Sequence, residues 1–145
     1  MYFLDEKERK TFLDKYKDKP CVLVEERDHS GKATSIIADN YHGMYAVAEH
    51  LVRDHGYRRF TYLAGPHGNT DANERRQAVF DVMNAYKVSF DESRVAYGDF
   101  SSCVQQQVNQ LLDDFPNMEA MIGAAELCNG EKMSFRCSSC KDQDP

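Results

Sequence analysis

No apolar run in this 145-residue chain approaches the length of a membrane span; a crossing helix needs about 20 predominantly apolar residues. Nor does the start, Met1-Tyr2-Phe3-Leu4-Asp5-Glu6, carry the basic residues that open a signal peptide. A basic excess is missing too. The 18 Lys and Arg stand against 24 Asp and Glu, a formal charge of −6. Chains that grip nucleic acid directly present a basic face, so no direct hold on DNA is expected here. The cysteines number five, an odd count, which suits a reducing compartment better than a disulfide framework. No membrane partner and a cytoplasmic location are therefore expected.

Catalytic signatures are absent as well. The chain has no Gly-x-Ser-x-Gly, no phosphate-binding glycine loop and no His-Glu-x-x-His, and it offers no carboxylate pair with an acid/base arrangement. No enzymatic activity and no cofactor are expected. Cys137-Ser138-Ser139-Cys140 has the spacing of half a zinc site or a redox pair. No second pair stands nearby, Cys128 is isolated and the histidines lie far upstream, so the pair is read as incidental and no metal is expected.

What is present is a regular alternation. Residues 5–16 place Phe12, Leu13 and Tyr16 on one side of an amphipathic helix. Cys21-Val22-Leu23-Val24 after Pro20 is a short apolar run suited to a buried strand. A polar loop leads to the β-branched stretch 34–38. Asp39 or Asn40 then caps a helix with Tyr41, Met44, Val47, Ala48 and Leu51 on its apolar face, stopped by Gly56. Residues 60–64 form the next strand. Asn69-Thr70-Asp71 caps a helix carrying Val79, Val82, Met83 and Tyr86. A strand near 94–97 follows, then a helix capped by Ser101 or Ser102 with Val104, Val108, Leu111, Leu112 and Phe115 toward the core. Ala120-Met121-Ile122-Gly123 is the last strand.

At this length the chain has room for one domain. Strands alternating with helices predict a three-layer α/β/α arrangement with a mainly parallel sheet. Ligands of such sheets bind outside the carboxyl ends of the strands. Here those ends are the loops at 38–42, 65–70 and 98–102, and whatever follows Ile122.

The same loops hold the most specific pattern in the chain. Asp39-Asn40-Tyr41-His42-Gly43, His55-Gly56-Tyr57-Arg58-Arg59, Leu63-Ala64-Gly65-Pro66, Asp71-Ala72-Asn73-Glu74-Arg75 and Tyr97-Gly98-Asp99-Phe100 follow in that order. As a set, across residues 19–122, they resemble the effector-binding domain of the lactose/purine-repressor (LacI-type) family of bacterial regulators. The resemblance implies a periplasmic-binding-protein-like type I fold, incomplete here and mostly the C-terminal lobe. Residues 1–28 would be a remnant of the N-terminal lobe and crossover strand, residues 29–125 a partial effector-binding lobe, and residues 126–145 an irregular tail. It also implies a small-molecule effector, a sugar or a nucleobase, and a homodimeric parent that meets DNA only through a headpiece absent from this chain. Two alternatives share the sensor domain: attachment to a signalling output such as a diguanylate cyclase or kinase, or a solute-binding protein of an uptake transporter.

Arg75 matches the family's effector-contacting arginine, and its planar guanidinium suits paired hydroxyls, a carboxylate or a purine edge. The plainer account is a solvated helix arginine beside Arg76. Asp39 is a ligand candidate that also reads as an ordinary cap, with His42 on the next turn. Phe100 offers an aromatic face for stacking, or core packing. His67 and Asn69 line the cleft mouth or merely form a turn. After the last strand the pattern breaks: Cys128-Asn129-Gly130-Glu131-Lys132-Met133 echoes the family and Ser134-Phe135-Arg136-Cys137-Ser138-Ser139-Cys140 does not. Those seven residues can be encoded so that dropping one base reads Ala-Leu-Gly-Val-Leu-Arg, the family's continuation. A frameshift just after Met133 is therefore expected, making Asn129 the stand-in for the family's ligand-binding Asn, with Glu126 its rival.

Overall fold

The structure, a computed structural model, describes residues 6–99 and 104–124. Within them run α1 (Glu6–Lys15), β1 (Val22–Val24), β2 (Thr34–Ile36), α2 (Asn40–Arg53), β3 (Phe60–Ala64) and α3 (Thr70–Ala85). A single 3-10 turn (Glu92–Arg94) then leads into β4 (Val95–Tyr97), α4 (Gln105–Asp114) and β5 (Ala120–Gly123). The described chain divides into two compact units between Asp39 and Asn40.

The first unit holds α1 and a parallel pair, with Val22 opposite Thr34 and Val24 opposite Ile36. Parallel neighbours usually require a crossover of a dozen or more residues; here residues 25–33 suffice. Glu25 turns the chain at once with a left-handed φ of 58°. The Asp28 carboxylate then gathers the loop, accepting from the backbone N–H of Ser30 (2.9 Å), Lys32 (2.7 Å) and Ala33 (2.9 Å) and from the Ser30 hydroxyl (2.6 Å). These bonds, the Ser30 hydroxyl first, hold its carboxyl well below the usual carboxylate range. Leu13 is the buried side chain of α1, while Phe12 is 43% exposed and meets the Tyr16 ring at 4.8 Å.

The second unit is a three-stranded parallel sheet in the order β4-β3-β5. Strand β3 is buried along its whole length, as a strand with helices on both faces must be. Its side chains alternate between two cores. Phe60, Tyr62 and Ala64 pack with Ala48, Val52, Val79, Val82, Met83 and Ile122 beneath α2 and α3, whereas Leu63 packs with Val104 and Val108 of the α4 side. Each of these large apolar side chains, fully buried, contributes roughly 1.5–3 kcal/mol. The layers are α2 and α3, the sheet, and α4: the expected α/β/α architecture.

Four details depart from the sequence expectation. Val47 is 52% exposed, and Val52 takes the buried position on α2; a stripe through residues 41, 44, 48 and 52 leaves 47 off its edge. Leu112 is 39% exposed, because α4 turns Val108 and Leu111 inward as its buried residues. That helix begins at Gln105, with Val104 as a cap that makes no side-chain hydrogen bond; Ser101 and Ser102 lie outside the described residues. Strand β1, whose apolar run suited a buried strand, leaves Val22 54% and Val24 61% exposed.

Loop geometry at the strand exits follows from particular residues. Gly98 donates its N–H to the Ala64 carbonyl at 2.9 Å, and a Cβ at that position would lie 3.0 Å from Val104 Cγ1. At the opposite edge the Glu119 carboxylate accepts from the N–H groups of Arg58 (2.7 Å) and Arg59 (3.0 Å). It thereby fixes β5 to the start of β3.

Candidate ligand-binding site

Strand β3 is followed by α3 on one face of the sheet, and its neighbour β4 by α4 on the other. A crevice opens outside the carboxyl ends of adjacent strands whose connections part in this way. The residues that gather there come from the exits of β3 and β4, the start of α2, the first turns of α3 and the end of β5.

Arg75 lies on the second turn of α3. Its Nε–H donates to Oδ1 of Asn40 at 2.7 Å, and one Nη1–H donates to the carbonyl of Ala124. The guanidinium thus bridges the first residue of α2 and the residue after β5. It has five donors, and these bonds engage two. Arg76 turns elsewhere: it pairs with Glu92, and its guanidinium lies 4.4 Å over the Phe80 ring. The two adjacent arginines therefore make different contacts. Arg76 serves the helix surface and Arg75 the strand ends.

Asn69 is the N-cap of α3, its Oδ1 accepting from the Ala72 N–H at 2.8 Å. The loop before it turns through Gly68 at φ 81°. His67, exposed on that loop, stacks on Tyr97 with ring centroids 3.8 Å apart and planes 24° apart. Since Tyr97 ends β4, this contact ties together the exits of β3 and β4. His42 is exposed on the first turn of α2 and meets the Tyr41 ring edge-on at 5.3 Å. Asp39 precedes α2 and belongs to the first unit. Phe100, Asn129 and Glu126 lie outside the described residues.

Two buried polar atoms near Arg75 stand out. Asn40 is 6% exposed, and its Nδ2 has no acceptor among the described residues. Tyr62 is 0% exposed, with an equally unpartnered hydroxyl. Burial pushes the Tyr62 phenol up to about 12, against the opposing pull of the Arg75 and Arg76 charges. Buried polar groups in native proteins are nearly always paired, so such atoms mark places where a partner belongs.

Sequence reasoning singled out Arg75 but passed over Asn40 as a mere helix opener. The signal for it was faint: two polar residues in succession before an amphipathic helix, only one of which is needed as a cap. The Ala124 carbonyl had no signal, because a backbone acceptor carries no side-chain identity. Among the described residues no group of three or more His, Cys, Asp or Glu is placed to hold a metal, and no helix is long and apolar enough to cross a membrane.

No family model matches the chain. The HTH-type transcriptional regulator CelR of Thermobifida fusca is 28% identical over 113 residues, covering 77% of this chain and 32% of that protein. Among solved structures, a sugar-binding LacI-family transcriptional regulator from Escherichia coli, complexed with phosphate, superposes with a TM-score of 0.66 at 18% identity, over 85% of this chain and 44% of the other. The regulator CcpA of Lactococcus lactis gives 0.65 at 22% identity, over 86% and 44%. A CelR–cellobiose complex gives 0.61 at 20% identity, over 85% and 46%. The chain spans about a third of the curated relative's length and under half of these structures.

Proposed function

We propose that this chain, whose sequence and fold are those of part of a LacI-type regulator, is the effector-sensing portion of a bacterial transcriptional regulator that responds to a sugar. The observation that carries this reading is the Arg75 bridge. A guanidinium held at the strand ends by Asn40 and Ala124 presents oriented donors where a parallel sheet binds its ligands. Paired sugar hydroxyls accept from such a fork.

The relatives support a sugar over a nucleobase, since one solved neighbour is named as a sugar-binding regulator and another holds cellobiose. Their naming as transcriptional regulators supports a DNA-directed output over a signalling enzyme or a transporter component. The proposed mechanism is a coupling between two sites. Effector occupancy at the strand ends shifts the closure of the two lobes, and closure changes how a dimer presents its DNA-binding headpieces. His67, Asn69 and His42 are proposed as further effector contacts, and Asp39, Phe100 and Asn129 are proposed as contacts on their motif register alone. No step of bond making or breaking is involved.

The test is calorimetric titration of the full gene product carrying this chain with cellobiose, glucose, hypoxanthine and adenine. A saturable heat with a sugar, in the micromolar range common to effector sensors (about −8 kcal/mol), is expected. Binding of a base with no response to either sugar would overturn the sugar assignment.

A further inference from the structure

We infer that Asn40 is a ligand-contacting residue of this site: its amide oxygen orients Arg75, and its buried NH2 group donates to an oxygen of the effector. The inference rests on the ligand-binding reading above and deepens it. A guanidinium carries only donors, so whichever way the two amide atoms of Asn40 are assigned, the atom 2.7 Å from Arg75 Nε must be the oxygen. The NH2 group is then necessarily the other arm of the amide. With the residue 6% exposed and no acceptor for Nδ2 among the described residues, that arm is a buried donor lacking a partner.

Such a donor is costly to leave unmade. It is held beside the guanidinium by the very bond that fixes both groups. The free NH2 arm and the guanidinium N–H groups not used by Asn40 and Ala124 are the donors left for a ligand. The complementary ligand presents neighbouring oxygen acceptors, as adjacent sugar hydroxyls do. A purely apolar ligand satisfies neither group. Asn40 therefore combines two roles that separate on substitution: the oxygen positions Arg75, and the nitrogen recognises the effector.

Asn40→Asp tests this directly, because it keeps an oxygen for Arg75 and replaces the donor with a second acceptor. In the full gene product, titrated with cellobiose and glucose, this variant should lose roughly tenfold or more in affinity for whichever sugar binds. Its melting temperature should equal or exceed that of the parent, since a carboxylate pairs more strongly with Arg75. Parental affinity in Asn40→Asp would overturn the inference and leave Asn40 as a positioning residue only. Should the variant fail to fold, 15N spectra of the parent decide. The Asn40 side-chain NH2 pair must shift when the sugar is added, and a still pair beside a moving Arg75 Nε–H overturns the proposal. If hypoxanthine or adenine binds and no sugar does, the sugar reading falls, and the same variant and spectra judge Asn40 with that base. If none of these probes binds at millimolar concentration, both readings fall together.

Discussion

Arg75 Nε–H donates to Asn40 Oδ1 across 2.7 Å, joining the second turn of α3 to the first residue of α2. The two helices pack side by side over one face of the sheet, so this bond closes their packing at the end where the strands exit. The two residues stand 35 positions apart in sequence, so the bond is a tertiary one.

Tyr62 supplies a prediction about unmet polarity. Its hydroxyl is buried without a partner among the described residues, so Tyr62→Phe removes a desolvated group and leaves the ring. Denaturant unfolding should show stability unchanged or raised by up to about 1 kcal/mol; a loss of that size would show that the hydroxyl is hydrogen-bonded. The pH dependence has a definite sign. The folded phenol is pushed up to about 12, above its ordinary value near 10. Its contribution is fully present below pH of about 10 and is lost as pH rises through about 12. Tyr62→Phe should flatten that high-pH decline.

Gly98 predicts an overpacking effect. The Cβ of Gly98→Ala would meet Val104 Cγ1 at 3.0 Å, and the valine, 7% exposed, has little room to retreat. A destabilisation of about 1–3 kcal/mol is expected. Combining it with Val104→Ala should recover part of the loss, a non-additivity that a double-mutant cycle measures. Strict additivity would show that the two residues do not press on one another.

How far the residues announced this fold can be judged element by element. Asn69 capping α3, Gly56 in a left-handed conformation beyond α2, and Val79, Val82 and Met83 on one face were all legible, because caps and helical periodicity are local. Val47 and Leu112 were misplaced because three-and-four spacing admits a neighbouring residue at the edge of the stripe, and only packing against the sheet decides. The short parallel link between β1 and β2 was hidden as well. It depends on one carboxylate, that of Asp28, collecting three backbone N–H groups and a hydroxyl. In the candidate site Arg75 was legible from its motif register, whereas Asn40 and the Ala124 carbonyl became visible only through contacts between distant segments.

Asp28 leads to an acid-side prediction. Its folded carboxyl is held below the ordinary range, so its contribution is present above the unfolded value near 3.9 and is lost as pH falls toward the lower, folded one. Hydrogen exchange should show the Ser30, Lys32 and Ala33 amides protected at neutral pH. In Asp28→Ala that protection should vanish, while the β3 amides stay protected. Unchanged protection at the three loop amides would mean that the loop is held by something other than this carboxylate.

The central claim, that Arg75 holds the effector, is tested most directly by titrating Arg75→Ala in the full gene product with the sugar that the parent binds. Removal of a charged hydrogen-bond partner costs a few kcal/mol, and the account predicts roughly a hundredfold or greater loss of affinity with the circular dichroism spectrum preserved. Arg75→Lys should fail nearly as badly, because a point ammonium lacks the planar fork. Parental affinity in Arg75→Ala would contradict the account and leave the Arg75–Asn40 bond as a structural clasp between two helices.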